Sequence, residues 1–148
     1  MTATAHVAYD WVFVAHVMVA VATIVVLVAL RVAASATFGD PAGGPRRFPD
    51  RVDWALRTVH LLPATGVTLV AMGGSDVSVG HPWVLVGIGC YVAAGAWIEA
   101  RVAPSERALA RVLVTDVDPR ASVATFIRSL DVALLIIAVA MVTMIVQF

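Results

Sequence analysis

Long apolar runs alternate with short polar segments along this chain of 148 residues. A helix needs about 20 apolar residues, at about 1.5 Å per residue, to cross the roughly 30 Å of hydrocarbon in a bilayer. Four stretches qualify, over residues 9–34, 52–72, 83–102 and 122–148. Their apolar residues are continuous rather than alternating, which favours helices over the strands of a membrane barrel. The pattern predicts an all-α fold, an integral membrane four-helix bundle forming a single domain over residues 1–148.

The segments between these runs predict where the helices begin and end. Gly and Pro crowd the first loop, and the second, GGSDVSVGH, predicts a tight turn. Pro82 precedes the third run and suits the first position of a helix, where its missing N–H costs nothing. After the third run, a charged amphipathic stretch predicts a further helix over residues 105–114. We expect it to lie at the membrane interface and to be capped by Ser105.

Arginine supplies all ten cationic side chains, and each lies in or beside the first or the third loop. The N-terminus, the second loop and the C-terminus carry none. Because basic residues beside membrane spans accumulate on the cytoplasmic side, the first and third loops are predicted to be cytoplasmic. The sequence therefore predicts a multi-pass protein of a bacterial plasma membrane with an N-out/C-out topology, in which both termini are periplasmic.

The composition indicates few kinds of chemistry. The net charge is zero, so no overall field favours nucleic acid. The single cysteine, Cys90, cannot form a disulfide within the chain. The sequence contains no phosphate-binding loop, HExxH motif or CxxC pair. We therefore expect no catalytic residue, no metal site and no cofactor.

Two histidines, His16 and His60, lie inside the first and second spans. Histidines on adjacent helices could ligate a haem, or one of them could ligate copper, which would make the chain a small redox protein. Their different depths argue against a shared ligand. The competing interpretation is hydrogen bonding between helices, in which His60 would bond to backbone freed by Pro63.

Charged side chains near the arginine-bearing helix ends suggest lipid contacts and ion pairs. Four arginines are predicted to snorkel to the headgroups and to hold anionic phospholipid such as cardiolipin: Arg31, Arg57, Arg101 and Arg128. Two carboxylates, Asp131 and Glu99, are predicted to be paired within the membrane. For Asp131 the candidate partners are Arg128, on the same helix, and Arg57 on the second span. A proton entry site at Asp131 or Glu99, in a small transporter or channel, is the alternative.

Glycine recurs in the third span, at Gly87, Gly89 and Gly95. Small residues allow the backbones of neighbouring helices to approach closely in a membrane. These three glycines are therefore predicted to form a helix-contact face.

Three phrases resemble a family of small four-helix membrane proteins from actinobacteria: YDWVFVAHVMVAV, RTVHLLPATGVTLVAMGG and HPWVLVGIGCYVAAGAWIEARVAPSERAL. Within that likeness, the chain is similar to an accessory subunit of the mycobacterial respiratory supercomplex, which joins a cytochrome bcc complex to an aa3-type cytochrome c oxidase. The resemblance implies a structural role in the electron-transport chain. It implies packing on the oxidase side, against other membrane subunits and phospholipid, and it supplies no catalytic residue.

Overall fold

The computed structural model describes residues 3–38, 56–73, 79–115 and 117–146, and every regular element in these ranges is a helix. In chain order, the α-helices are α1 (Ala3–Ala36), α2 (Leu61–Met72), α3 (Pro82–Trp97), α4 (Ala103–Val112) and α5 (Arg120–Val146). Because α3 and α4 belong to one continuous helix, the bundle has four helical segments. The predicted all-α helical bundle is confirmed. The predicted limits at residues 52 and 148 lie outside the described residues.

Three helices are long and apolar enough to cross a membrane, namely His6–Ala36, Pro82–Val112 and Arg120–Val146. The shortest of them has 27 residues and extends over about 40 Å, more than the hydrocarbon requires. The segment Leu56–Met72 is also apolar but shorter in its described part. The protein is therefore a multi-pass membrane protein.

A 3₁₀ turn, Leu56–His60, leads into α2. Pro63 has no N–H to donate to the carbonyl of Val59, four residues earlier. Pro63 is the third residue of α2, in the first turn, where an N–H has no carbonyl partner within the helix. The segment therefore continues into α2 despite Pro63.

A π-helical turn, Ile98–Val102, joins α3 to α4. The N–H of Ala103 bonds to the carbonyl of Ile98, five residues earlier. Pro104 follows directly, and its ring would crowd a carbonyl in a regular α-helix. Insertion of a wider turn is a known way for a helix to pass such a point.

The helix therefore continues from Pro82 to Val112, in place of the predicted separate segment 105–114. Ser105 lies inside it, and its hydroxyl donates to the carbonyl of Val102 at 2.9 Å instead of capping a new helix. The buried side chains of Leu109 and Ala110 show that α4 packs into the bundle. The N-terminal position predicted for Pro82 is confirmed.

Around the bundle, α2 packs against α1, α1 against α5, and α5 against α3. Packing between α2 and α3, which would close the circle of four helices, is slight. Helix α1 lies against α2 and α5, while α3 and α4 lie against α5. Helices α2 and α3 approach each other far less closely. The bundle therefore has one side on which two neighbouring helices leave part of their inner surfaces uncovered.

The buried core is concentrated towards the end of the bundle that carries the arginines. Its largest fully buried side chains include Phe126, Ile98, Leu109, Leu130 and Leu27. Large apolar side chains elsewhere face outward, among them Trp11, Met18, Val67, Leu135 and Ile145. Such an outer surface is suited to lipid rather than to water.

The three glycines of α3 do not share one face. A Cβ on Gly87 would lie 3.2 Å from the Cε of Met144, and a Cβ on Gly95 would lie 3.7 Å from the Cε1 of His60. A Cβ on Gly89 would have no atom of another described helix within 4 Å, and this residue is exposed. Gly87 and Gly89 are two residues apart, so they point about 200° away from each other around the helix. The predicted common contact face is therefore wrong for Gly89 within the bundle.

Candidate functional site

Polar side chains within the spans meet across the boundaries between helices. At the boundary of α1 and α2, the Nδ1 of His16 lies 2.7 Å from the Oγ1 of Thr65. The hydroxyl of Thr65 also reaches the carbonyls of Leu61 and Leu62, at 3.1 and 3.0 Å. Since the hydroxyl has one hydrogen and donates it to the backbone, His16 Nδ1–H is the donor to Thr65.

Glycine gives the His16 ring its space. A Cβ on Gly66 would lie 3.5 Å from the Cε1 of His16, so the ring packs against α2 at this glycine. Nearer the arginine-bearing end of the same boundary, the hydroxyls of Thr23 and Thr58 lie 3.5 Å apart. Thr23 donates to the carbonyl of Val19 at 2.8 Å, which leaves its oxygen to accept from Thr58. The two contacts hold α1 to α2 and to the 3₁₀ turn that precedes it.

His60 forms a second cluster at the open side of the bundle, between α2 and α3. Its Nδ1 lies 3.4 Å from the hydroxyl of Tyr91, and its Nε2 lies 3.2 Å from the Oε1 of Glu99. A neutral imidazole fits both contacts when it accepts from the tyrosine and donates to the carboxylate. The His60 ring packs against α3 at Gly95. His60 therefore bonds to side chains of α3 and its π turn, and not to backbone freed by Pro63 as predicted.

The two histidines occupy different boundaries. The ring of His16 lies against Gly66, and His60 precedes Gly66 by six residues, or about 9 Å along the helix axis. A metal bound by two imidazoles needs both nitrogens at about 2 Å. The arrangement therefore does not bring His16 and His60 onto one ion or one haem iron. No group of three or more His, Cys, Asp or Glu that could hold a metal ion occurs in the described part of the chain.

An ion pair joins α1 to α5. The Nε of Arg31 donates to the Oδ1 of Asp131 at 2.5 Å, and roughly half of each side chain is exposed. Asp131 thus meets a residue of the first span, where the sequence suggested Arg128 or Arg57. The sequence did contain a signal for this pair, because Arg31 and Asp131 carry opposite charges and both lie within a few turns of the arginine-bearing ends of their helices.

Trp97 ties α3 to α5 and was missed by sequence reasoning. Its indole N–H donates to the carbonyl of Ser129 at 2.9 Å. The guanidinium of Arg101 lies 5.9 Å from the centre of the Trp97 ring, a cation–π distance. Arg57, Arg101 and Arg128 are all exposed, as the predicted contact with headgroups requires.

The fold and the paired polar groups define a class of protein, a multi-pass membrane protein built as a helical bundle. Beyond that class, no family model, curated protein or solved structure significantly matches the chain.

Proposed function

We propose that the chain is a non-catalytic accessory subunit of a respiratory membrane complex. Its place would be on the cytochrome c oxidase side of a bcc–aa3 supercomplex, in contact with other membrane subunits and with phospholipid. The particular complex is suggested by the three sequence phrases that resemble the actinobacterial family. The structural character of the role is supported by the way the chain uses its polar side chains.

The observation that carries the proposal is that several polar side chains described within the spans connect helices of the chain to each other. His16 bonds to Thr65, Arg31 pairs with Asp131, and the indole of Trp97 bonds to α5. Interhelical hydrogen bonds of this kind each contribute about 1 kcal/mol in membranes. These groups fix the shape of the bundle, which is what a subunit that holds its neighbours in place requires.

Phospholipid contact follows from the distribution of charge. The seven arginines in the described ranges all lie at the end where α1 finishes, α2 begins, the α3–α4 helix finishes and α5 begins. A ring of cations at one membrane surface attracts anionic headgroups. Cardiolipin, which carries two phosphates, is the lipid that such a ring would hold best.

We propose the same end as the cytoplasmic one, so that both termini are periplasmic. Alkaline phosphatase fused after Phe148 is expected to be active, since that enzyme works only outside the cytoplasm, whereas green fluorescent protein at the same place stays dark. Fusions that end at Thr115 should show the reverse pattern. Fluorescence from a fusion after Phe148 would contradict the proposed orientation.

Gentle detergent extraction tests the proposed role. An affinity tag at the C-terminus is expected to co-purify haem-bearing cytochrome c oxidase subunits, identified by mass spectrometry, together with anionic phospholipid. An unrelated four-helix membrane protein carrying the same tag serves as the control. Recovery of the tagged chain alone, with no oxidase above the control, would contradict the proposal.

The same preparation separates the alternatives. After the chain is stripped of partners, we expect no Soret band and no bound copper, and a haem spectrum on the isolated chain would instead support the redox interpretation. For the transport alternative, proteoliposomes that contain wild type or Asp131→Asn are expected to show the same proton flux as empty vesicles. A flux that is lost in the variant would support transport.

A further inference from the structure

Glu99 is a carboxylate on the outer surface of the membrane-spanning part. About half of its side chain is exposed, and within the described residues its ion-pair partner is His60, whose side chain is 38% exposed. If Trp83, at the start of α3, marks one edge of the hydrocarbon, Glu99 lies about 24 Å further along the helix, inside the roughly 30 Å of hydrocarbon. A carboxylate at this depth is costly unless a cation is close.

The surface beside Glu99 is apolar and continuous. Leu85 and Val92 are seven residues apart, a spacing that places them on one side of α3, and Glu99 follows seven residues later, in the π turn. Leu85 and Val92 are both more than half exposed. A row of apolar side chains thus leads to the carboxylate.

Next to this row, α3 presents its smallest side chains outward. Gly89, Ala93 and Ala96 are exposed and follow each other at intervals of four and three residues, which places them on one face. A Cβ built on Gly89 would have no atom of another described helix within 4 Å. The outer face of α5 instead carries mainly valine and larger residues such as Leu135. Helix α1 exposes alanines too, at residues 15, 22 and 29, so the carboxylate is what distinguishes the face of α3.

We propose that this outer face of α3, with Glu99 at one end, is the docking surface for a transmembrane helix of another subunit that carries an arginine or lysine opposite Glu99. The inference rests on the proposed function, for which it names the contact face and the chemistry of the partner. Charge complementarity selects the occupant, because a basic side chain can pair with the exposed half of the Glu99 carboxylate, whose ion-pair partner among the described residues is an imidazole and not a guanidinium or ammonium group. A second copy of this chain is a poorer occupant, since a parallel symmetric pair places Glu99 against Glu99.

Fluorescence energy transfer in phosphatidylcholine vesicles tests the inference. The full chain, with Cys90→Ser and a labelled cysteine added after Phe148, is reconstituted with transmembrane peptides of about 23 Leu and Ala residues. One peptide carries a single Arg at the depth of Glu99, and matched peptides carry Leu or Glu there. The Arg peptide is expected to associate about fivefold more tightly than the Leu peptide, with the Glu peptide weakest.

Variants locate the contact. Glu99→Gln is expected to remove the preference for Arg over Leu, and Ala93→Leu to weaken binding of both peptides. Ala138→Leu, the same substitution at an exposed position of α5, is the matched control and should leave binding unchanged. Each variant is checked for unchanged elution and helical content in detergent. Gly89→Leu, at an exposed position where an added Cβ has no atom of another described helix within 4 Å, provides a second variant of the face if Ala93→Leu does not fold.

The proposal is overturned if the Arg and Glu peptides bind equally, if Glu99→Gln keeps the preference, or if transfer between copies of the chain exceeds transfer to the Arg peptide. Co-purification then separates the two proposals. If wild type recovers the oxidase and both Glu99→Gln and Ala93→Leu do so equally, the docking surface is wrong and the accessory role stands. If wild type recovers no oxidase although the Arg peptide binds, the role in that complex is wrong and the docking surface stands.

Discussion

Replacing Phe126 by alanine is expected to lower the free energy of unfolding by about 3–5 kcal/mol, the usual cost of removing a large aromatic side chain from a packed core. Phe126 is fully buried, and fully buried Leu109 and Leu130 belong to the same core cluster. These neighbours come from α4 and α5, so the cavity would loosen the packing between them. Unfolding by sodium dodecyl sulfate in mixed micelles, followed by circular dichroism, measures the change.

Val139→Ala is the matched control for this prediction. Val139 lies on the same helix, but it is about half exposed on the outer surface, where lipid or detergent can refill the space. The change in unfolding free energy is expected to stay within about 0.5 kcal/mol. Equal losses for the two variants would mean that Phe126 does not lie in a packed interior.

Reversing one charge of the ion pair between α1 and α5 is expected to have the second large effect. Asp131→Arg places a second guanidinium beside Arg31, and like charges this close repel strongly where lipid keeps the dielectric constant low. The apparent Tm in mild detergent should fall by several degrees. The double variant Arg31→Asp/Asp131→Arg restores an ion pair with its direction reversed, and we expect it to recover most of the loss.

Arg128→Asp is the control for the pair, since it likewise reverses the charge of an exposed residue of α5. We expect a smaller change in Tm than for Asp131→Arg, and no recovery when it is combined with Arg31→Asp. A double variant of Arg31 and Asp131 that is no more stable than Asp131→Arg alone would show that the two side chains do not act as a pair.

The sequence was sufficient to predict the helical segments because a membrane span needs only length and continuous apolarity. The helix beginning at Pro82 is found where a proline, whose missing N–H is harmless there, precedes an apolar run. The continuation through Pro104 was not predictable in the same way. Proline usually ends a helix, and only the π turn before it, which has no simple sequence signature, keeps this one continuous.

The partners of the polar groups depended on which helices are neighbours, and periodicity along one helix does not give that. Arg31 and Asp131 are 100 residues apart, and they meet because α1 packs against α5. For His60, the nearby Pro63 suggested a local partner. The structure instead turns the ring towards α3, where Gly95 leaves room for it and Glu99 supplies an acceptor.

The unbroken helix from Pro82 to Val112 is longer than a bilayer is thick. Its 31 residues extend over about 46 Å, against about 30 Å of hydrocarbon and about 40–45 Å with the headgroups included. If Trp83 lies at one edge of the hydrocarbon, α4 emerges from the opposite face as a short rigid stalk, braced by the first turns of α5. Arg107 and Arg111 are exposed on that stalk, so a water-soluble molecule approaching from this side meets fixed positive charge before it reaches the lipid surface.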